Sequence, residues 1–479
     1  MRNLTLVMDF YELTMSQVYF NEGKMDEVVT FDLFYRKNPD NAGYAVCAGL
    51  DQAIDLVLNF KFNADDIEYL RSTHCFNEAF LEYLSKFKFK GDIYAIHEGT
   101  PVFPYEPIVR VKGNIIEAQL LETGLLLCIN HETMIASKAR RIVTAAGGRP
   151  IMEFGARRSH NFDAAIYGAR AAYIGGVAGT ATAYAGKEFH MPALGTMAHS
   201  FVQSFDTELD AFKAYCKSYP TSATLLLDTY DTLRSGLPNA IKAAKEVLEP
   251  AGYRLKGVRI DSGDMAYLSK QIRKELDANG MTDCNIVISN SLDEYLIESL
   301  LAQGAKIDSM GVGENLICSK SSPVFGGVYK LTSIFKDGVS IPKIKRSENI
   351  EKITNPGYKD LYRIYDLESG MAMADVMALH DEVLNPDDDL TIYHQMNTWK
   401  NKTFKGGTYR LRSLLAPIFI DGKLVYDRPG LEEIREFSQK AFETIWEEVK
   451  RFTYPQTYYV DLTKNLSDLK HKLLEEIEE

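Results

Sequence analysis

The pattern of apolar and polar positions changes rhythm near residue 131. Before that point, residues 28–35 are rich in β-branched and aromatic side chains, and 91–110 has strand-like stretches punctuated by Gly99, Pro101, Pro104 and Pro107. The opening Asp9-Phe-Tyr-Glu-Leu-Thr-Met15 reads as helix, with Leu6, Phe10 and Leu13 spaced for one face. Beyond 131, short apolar segments alternate with helical stretches. The pattern predicts strands at 151–154, 173–177, 193–197, 223–227, 257–260, 285–288 and 306–310. Helices fit at 238–248, with Pro238 in its first turn and Gly252 beyond its end, at 265–278, stopped by Gly280, and at 293–303, stopped by Gly304.

Such alternation implies parallel strands joined by crossover helices. The expected fold class is α/β, a βα-barrel, with an open doubly wound sheet as the rival. The strands end in polar or glycine tips: Gly155-Ala-Arg157, Gly179-Thr180, Ala198-His199-Ser200, Asp228-Thr229, Asp261-Ser-Gly263, Ser289-Asn290-Ser291 and Gly311-Val-Gly313. Barrel enzymes collect their chemistry at this rim. One tip alone is equally an ordinary βα-turn, where Gly, Ser and Asp are favoured for backbone reasons; the series favours the barrel. Past residue 340 come Lys- and Asp-rich loops, Pro356-Gly357, the acidic run 386–389 and a terminal helical region at 431–452. The expected division is a β-rich N-terminal domain at 1–130, a barrel at 131–340 and a C-terminal segment at 341–479 packing on both.

Composition narrows the function. A chain of 479 residues exceeds one ordinary core, and 46% hydrophobic with 25% charged residues is normal for a folded protein. The net charge of −12 argues against nucleic acid or an anionic membrane as partner, so an anionic ligand must meet a local basic cluster. The six cysteines are scattered without a Cys-x-x-Cys pair, which suggests a reducing compartment rather than a zinc site. Asp9 and Glu12 spoil the first apolar stretch as a signal peptide, and no run reaches the roughly 20 apolar residues of a membrane span. A cytoplasmic location is expected.

Lys138, Arg140, Arg141, Arg149, Arg157 and Arg158 form the basic cluster, readable as an anion site or, for Arg140 and Arg141, as a solvated helix face. Asp261 and Asp264, after a strand carrying Arg259, suit ribose hydroxyls or magnesium, while an N-cap needs only one of them. Gly311, Gly313, Gly326 and Gly327 would let backbone N–H groups approach a phosphate, although such glycines are common in turns. His199 is a rim histidine able to act as acid, base or nucleophile, or to be merely structural.

In this order, Asp9-Phe-Tyr-Glu-Leu-Thr-Met15, Phe31-Asp-Leu-Phe-Tyr-Arg36, Glu153-Phe-Gly-Ala-Arg-Arg158, Gly195-Thr-Met-Ala-His-Ser200, Val258-Arg-Ile-Asp-Ser-Gly263 and Gly311-Val-Gly313 resemble nicotinate phosphoribosyltransferases, from the N-terminus to about residue 330. The resemblance implies an irregular α/β barrel behind a smaller β-rich N-terminal domain, followed by a C-terminal extension, with active sites completed across a homodimer. It implies transfer of phosphoribosyl from 5-phosphoribosyl 1-diphosphate to nicotinate, coupled to ATP and assisted by magnesium, on the route to NAD. His199 matches the histidine that ATP phosphorylates. Phe154 and the partner's Tyr11 would sandwich the pyridine, and Arg157 would face the substrate. Arg259 and Asp261 would hold the phosphoribosyl diphosphate, Gly311 and Gly313 a 5′-phosphate. Asp228 matches a rim carboxylate of open role. Nicotinamide-using relatives carry an aspartate after the Gly-Thr pair; here Gly179-Thr180 precedes Ala181, which favours nicotinate. The alternatives are a nicotinamide phosphoribosyltransferase, an inactive metabolite-binding barrel, or an unrelated barrel enzyme such as an aldolase, for which no lysine stands at a strand tip.

Overall fold

The structure, a computed structural model, describes residues 3–397 and 399–476. It divides into two compact units, Ile135–Pro323 and a second that combines Met1–Met134 with Val324–Glu479.

The unit Ile135–Pro323 is built on six parallel strands: β1 (Ile151–Glu153), β2 (Gly179–Thr180), β3 (Thr224–Leu226), β4 (Gly257–Ile260), β5 (Asn285–Ser289) and β6 (Ser309–Val312). Their order is β2-β1-β6-β5-β4-β3, so the last strand pairs with the first, Met310 opposite Ile151 and Val312 opposite Glu153. A single parallel bridge from Thr180 to Ala193 continues the ring beyond β2. Spatial order therefore follows chain order around an irregular βα-barrel, and among the described residues no ladder joins 193 to β3. Val258, Ile260, Ile286, Ile288, Met310 and Val312 are all fully buried, as strands covered on both faces require.

Helix Met265–Ala278 shows why the sequence signal was strong here. Asp264 caps it by accepting from the Tyr267 N–H, and Ala266, Ser269, Ile272 and Leu276 form its buried stripe. Burying Ile272 and Leu276 contributes on the order of 1.5–3 kcal/mol each. Elsewhere the pattern misled. The apolar run at 173–177 is not a strand: it is the end of helix Phe162–Ile174 and the Gly175-Gly176 turn, and the strand is β2. That helix buries every residue from Gly168 to Ile174, which erases the periodicity that separates helix from strand. The predicted strand 193–197 survives only as the bridge at Ala193. Around 238–248 the helix Leu237–Ala243 is flanked by π-helical turns at Thr232–Gly236 and Ala244–Leu248.

The other unit is β-rich. A seven-stranded sheet pairs Val28–Phe34 with Val109–Asn114 on one side and Val328–Lys336 on the other, both antiparallel. Leu415–Ile420 joins the same sheet beside Asp92–Ile96. A six-stranded sheet is made wholly from the stretch between Lys359 and Leu462, around Ile364, Ala374, Val376 and Ile392. The stretch past 340 is thus strand-rich where loops were expected; strands such as Tyr409–Ser413 alternate with arginines and show too little apolar character. Helices Leu431–Glu443 and Glu447–Lys450 occupy the expected terminal helical region. No helix among the described residues is long and apolar enough to cross a membrane.

Candidate active site

Phe154 directly follows β1, and its N–H donates to the Val312 carbonyl at 2.8 Å, extending the ladder to β6. Its ring lies over Gly311, where a β-carbon would overlap ring carbons Cδ2 and Cε2. Gly155 packs in the same way against Ile317 and the Gly313 carbonyl. Gly311, read from sequence as an approach for phosphate, therefore also has a steric task. Thr180 is fully buried. Its hydroxyl donates to Glu153 Oε2 at 2.5 Å and accepts from the Thr182 N–H at 2.9 Å, so its one proton is engaged within the protein. Glu153 is also fully buried, and its other oxygen accepts from the Gly155 N–H. Burial raises its pKa, while these two bonds oppose the rise.

The tips of β3, β4 and β5 converge with His199. Arg259 on β4 donates through Nη1 to Thr196 Oγ at 2.5 Å, reaching across the open seam of the ring. Burial lowers its pKa, Asp261 and Asp228 counter that effect, and the nearby Arg157 charge adds to it. Asp261 accepts from Ser289 Oγ, and its other oxygen stands 4.0 Å from His199 Nε2. His199 Nδ1 lies 3.2 Å from Thr229 Oγ. Asp228 accepts from the Asp261 N–H at 3.0 Å and from Ser262 Oγ at 2.6 Å, so it holds the loop that carries Asp261. Two buried polar atoms here lack partners, Arg259 Nε and Asp228 Oδ1. A buried polar atom left this way is open to a bond from a ligand, an ion or water. Asp264, by contrast, only caps its helix.

This rim has a known counterpart. Family models for the nicotinate phosphoribosyltransferase N-terminal domain, the nicotinate phosphoribosyltransferase family and the C-terminal domain match residues 6–130, 150–357 and 358–470. The chain is 42% identical to nicotinate phosphoribosyltransferase of Bacillus subtilis, over 100% of this chain and 98% of that protein. It belongs to the nicotinate phosphoribosyltransferase family. The crystal structure of human nicotinic acid phosphoribosyltransferase superposes with a TM-score of 0.84 at 27% identity, covering 98% of this chain and 100% of that one. A nicotinate-nucleotide pyrophosphorylase from Pyrococcus furiosus shares the fold, with a TM-score of 0.70 at 23% identity over 92% and 96% of the two chains. The likeness thus continues well past residue 330, where sequence motifs alone had faded.

Family membership makes the fate of the basic cluster informative. Lys138 and Arg141 are buried and both pair with Glu294 at 2.9 Å, and Arg140 is buried with its guanidinium donating to the Ile174 carbonyl at 3.4 Å. They form neither an open anion site nor a solvated face. Removing Glu294 would leave buried cations without their counter-charge, a loss of about 3–5 kcal/mol. Arg149 donates to the Ile307 carbonyl at 2.9 Å. Arg157 and Arg158 are exposed, Arg158 standing 3.7 Å from Glu314. In the other unit, Gly327 packs tightly on Asn130. Tyr11 also lies in that unit, on helix Phe10–Asn21, and is 44% exposed. Burial of its hydroxyl and the neighbouring Glu122 raise its pKa. Glu153 and Thr196 were not singled out from sequence, although both lay inside the quoted motifs as scaffolding around Phe154 and His199; Thr229 and Ser289 stood among the strand tips with no role of their own.

Proposed function

We propose that this enzyme transfers phosphoribosyl from 5-phosphoribosyl 1-diphosphate to nicotinate, yielding nicotinate mononucleotide and diphosphate for NAD biosynthesis, with ATP hydrolysis coupled through His199. The observation that carries this reading is the convergence of Arg259, Asp261 and His199 on one rim, beside two orphaned buried polar atoms. The pyridine nitrogen's lone pair attacks the anomeric carbon, and the carbon–oxygen bond breaks with its electrons leaving on diphosphate. Phe154 and Tyr11 of the partner subunit hold the ring in line, Arg157 faces its carboxylate, and Thr180 shapes the pocket wall. Arg259 meets the diphosphate, Asp261 the ribose hydroxyls, and Gly311 with Gly313 the 5′-phosphate.

Phosphorylation of His199 adds close to two negative charges to the rim. This tightens the site for substrate, and loss of the phosphoryl group releases product, which couples ATP to the net equilibrium. Bound magnesium supplies charge neutralisation on the diphosphate. Among the described residues no group of three or more His, Cys, Asp or Glu forms a metal cage. One or two carboxylates plus phosphate oxygens is a normal magnesium environment, and Asp228 with its unpaired Oδ1 fits that role. The enzyme works as a cytoplasmic homodimer with shared sites. Mixing the protein with nicotinate, 5-phosphoribosyl 1-diphosphate, magnesium and ATP, then omitting each in turn, tests the scheme. Nicotinate mononucleotide should form fastest in the full mixture, and turnover of nicotinamide in preference to nicotinate would overturn the assignment of the acceptor.

A further inference from the structure

We propose that Glu153 is the positioning residue of the pyridine pocket, its carboxylate clamping the turn that carries Phe154 to Thr180 at the end of β2. The inference rests on the nicotinate reading above. Glu153 is the last residue of β1 and is fully buried. A carboxylate taken out of water is costly unless donors or cations meet it. Here no lysine, arginine or histidine among the described residues pairs with it; its oxygens are met by the Thr180 hydroxyl at 2.5 Å and by the Gly155 N–H. Strand pairing does not need this side chain. The Ala181 N–H reaches the Glu153 carbonyl at 2.8 Å and the Phe154 N–H reaches Val312 at 2.8 Å, and both backbone bonds would form around an apolar residue.

What the carboxylate adds lies beyond the last ladder bond. Gly155 follows Phe154, so fixing its N–H fixes the turn from which the aromatic ring projects. The ring already rests on Gly311 on one side. Phe154 is half-buried, and with its backbone clamped its ring is held in one plane for a flat substrate. The second anchor, Thr180, adjoins Ala181, so one carboxylate sets both the stacking face and the segment at which the resemblance places acceptor choice. Arg259 and Asp261 stand on β4 and its tip, outside the clamp.

The role predicts a selective defect. Glu153→Gln keeps the shape but offers an acceptor to only one of the two donors. Its amide N–H then faces Thr180 Oγ, and the buried Thr180 proton loses its acceptor. The KM for nicotinate should therefore rise by about tenfold, the scale of one lost bond to a charged acceptor. The KM for 5-phosphoribosyl 1-diphosphate and kcat should stay within about twofold. Thr180→Val should show the same selective rise, and Thr180→Ser, which keeps the hydroxyl, should restore the wild-type value. Should Glu153→Gln not accumulate as folded protein, the Thr180 pair decides alone. A normal nicotinate KM in folded Glu153→Gln or in Thr180→Val, or an equal rise for both substrates, would overturn the clamp. If the unaltered enzyme makes no nicotinate mononucleotide, the underlying reading fails instead, and the two failures are distinguishable.

Discussion

The ring of Phe154 occupies the space that a side chain on Gly311 would fill. The two are held in register by the Phe154 N–H bond to Val312, one residue beyond that glycine. Gly311→Ala must therefore move the ring, at an overpacking cost of about 1–3 kcal/mol. Because stacking on Phe154 is the proposed hold on the pyridine, the KM for nicotinate should rise by at least about tenfold. Steady-state kinetics with a thermal unfolding curve checks both. A folded variant with unchanged nicotinate KM would argue that Gly311 serves phosphate alone.

Thr196 accepts from Arg259 on the side of the ring where, among the described residues, no ladder joins 193 to β3. Thr196→Val removes the acceptor and leaves the guanidinium free to swing, so binding of 5-phosphoribosyl 1-diphosphate should weaken by about tenfold while nicotinate affinity is little altered. Arg259→Lys should be far more harmful, because an ammonium cannot reproduce the planar fork. Titration of each variant with 5-phosphoribosyl 1-diphosphate, read by calorimetry, separates the two effects.

His199 sits between Thr229 and Asp261 with both ring nitrogens facing polar partners. His199→Asn should abolish ATP hydrolysis and leave slow, ATP-independent transfer, measured as nicotinate mononucleotide formed with and without ATP. Undiminished hydrolysis in that variant would move the phosphoryl acceptor elsewhere.

Where strands and helices followed their own chemistry, the sequence was readable. β4 and helix Met265–Ala278 match their expected bounds because Val258 and Ile260 form a short apolar run and Asp264 and Gly280 punctuate the helix. Helix Phe162–Ile174 was misread because its buried C-terminal half has no polar face. The basic cluster illustrates a second limit. Lys138 and Arg141 look like an anion site until Glu294, more than 150 positions away, is found between them. Glu153 was invisible as a functional residue for the same reason: its partners, Thr180 and the Gly155 N–H, are set by the closure of the ring.

Ala181 follows the clamp's second anchor and is exposed at the tip of β2. Ala181→Asp would place a carboxylate where nicotinate's own carboxylate is expected, and like charges about 4 Å apart repel by roughly 4 kcal/mol at an effective dielectric constant near 20. The kcat/KM for nicotinate should fall by up to about a thousandfold, at roughly 1.4 kcal/mol per factor of ten, while that for nicotinamide holds or rises. Competition between the two pyridines in one assay gives the ratio directly. An unaltered ratio would separate acceptor choice from this position.

Glu12, beside Tyr11, gives the protein a pH dependence with a definite sign. Its side chain is fully buried; one oxygen accepts from the Thr123 hydroxyl and, at 3.2 Å, from the Thr123 N–H, and the other has no partner. Burial pushes its pKa up to about 7 from the ordinary 4.5, the Thr123 bonds oppose the rise, and Glu122 adds to it. Between those values the unfolded chain has released this proton while the folded chain retains it. The unfolded state then binds fewer protons, so stability from this group is full below about pH 4.5 and is lost as pH rises through 7. Glu12→Gln keeps an acceptor for Thr123 and removes the titration. Relative to the unaltered protein, the variant should gain up to about 3 kcal/mol in going from pH 5 to pH 8. Urea unfolding midpoints of both proteins at the two pH values measure the difference, and parallel pH profiles would show that Glu12 ionises in the folded state without penalty.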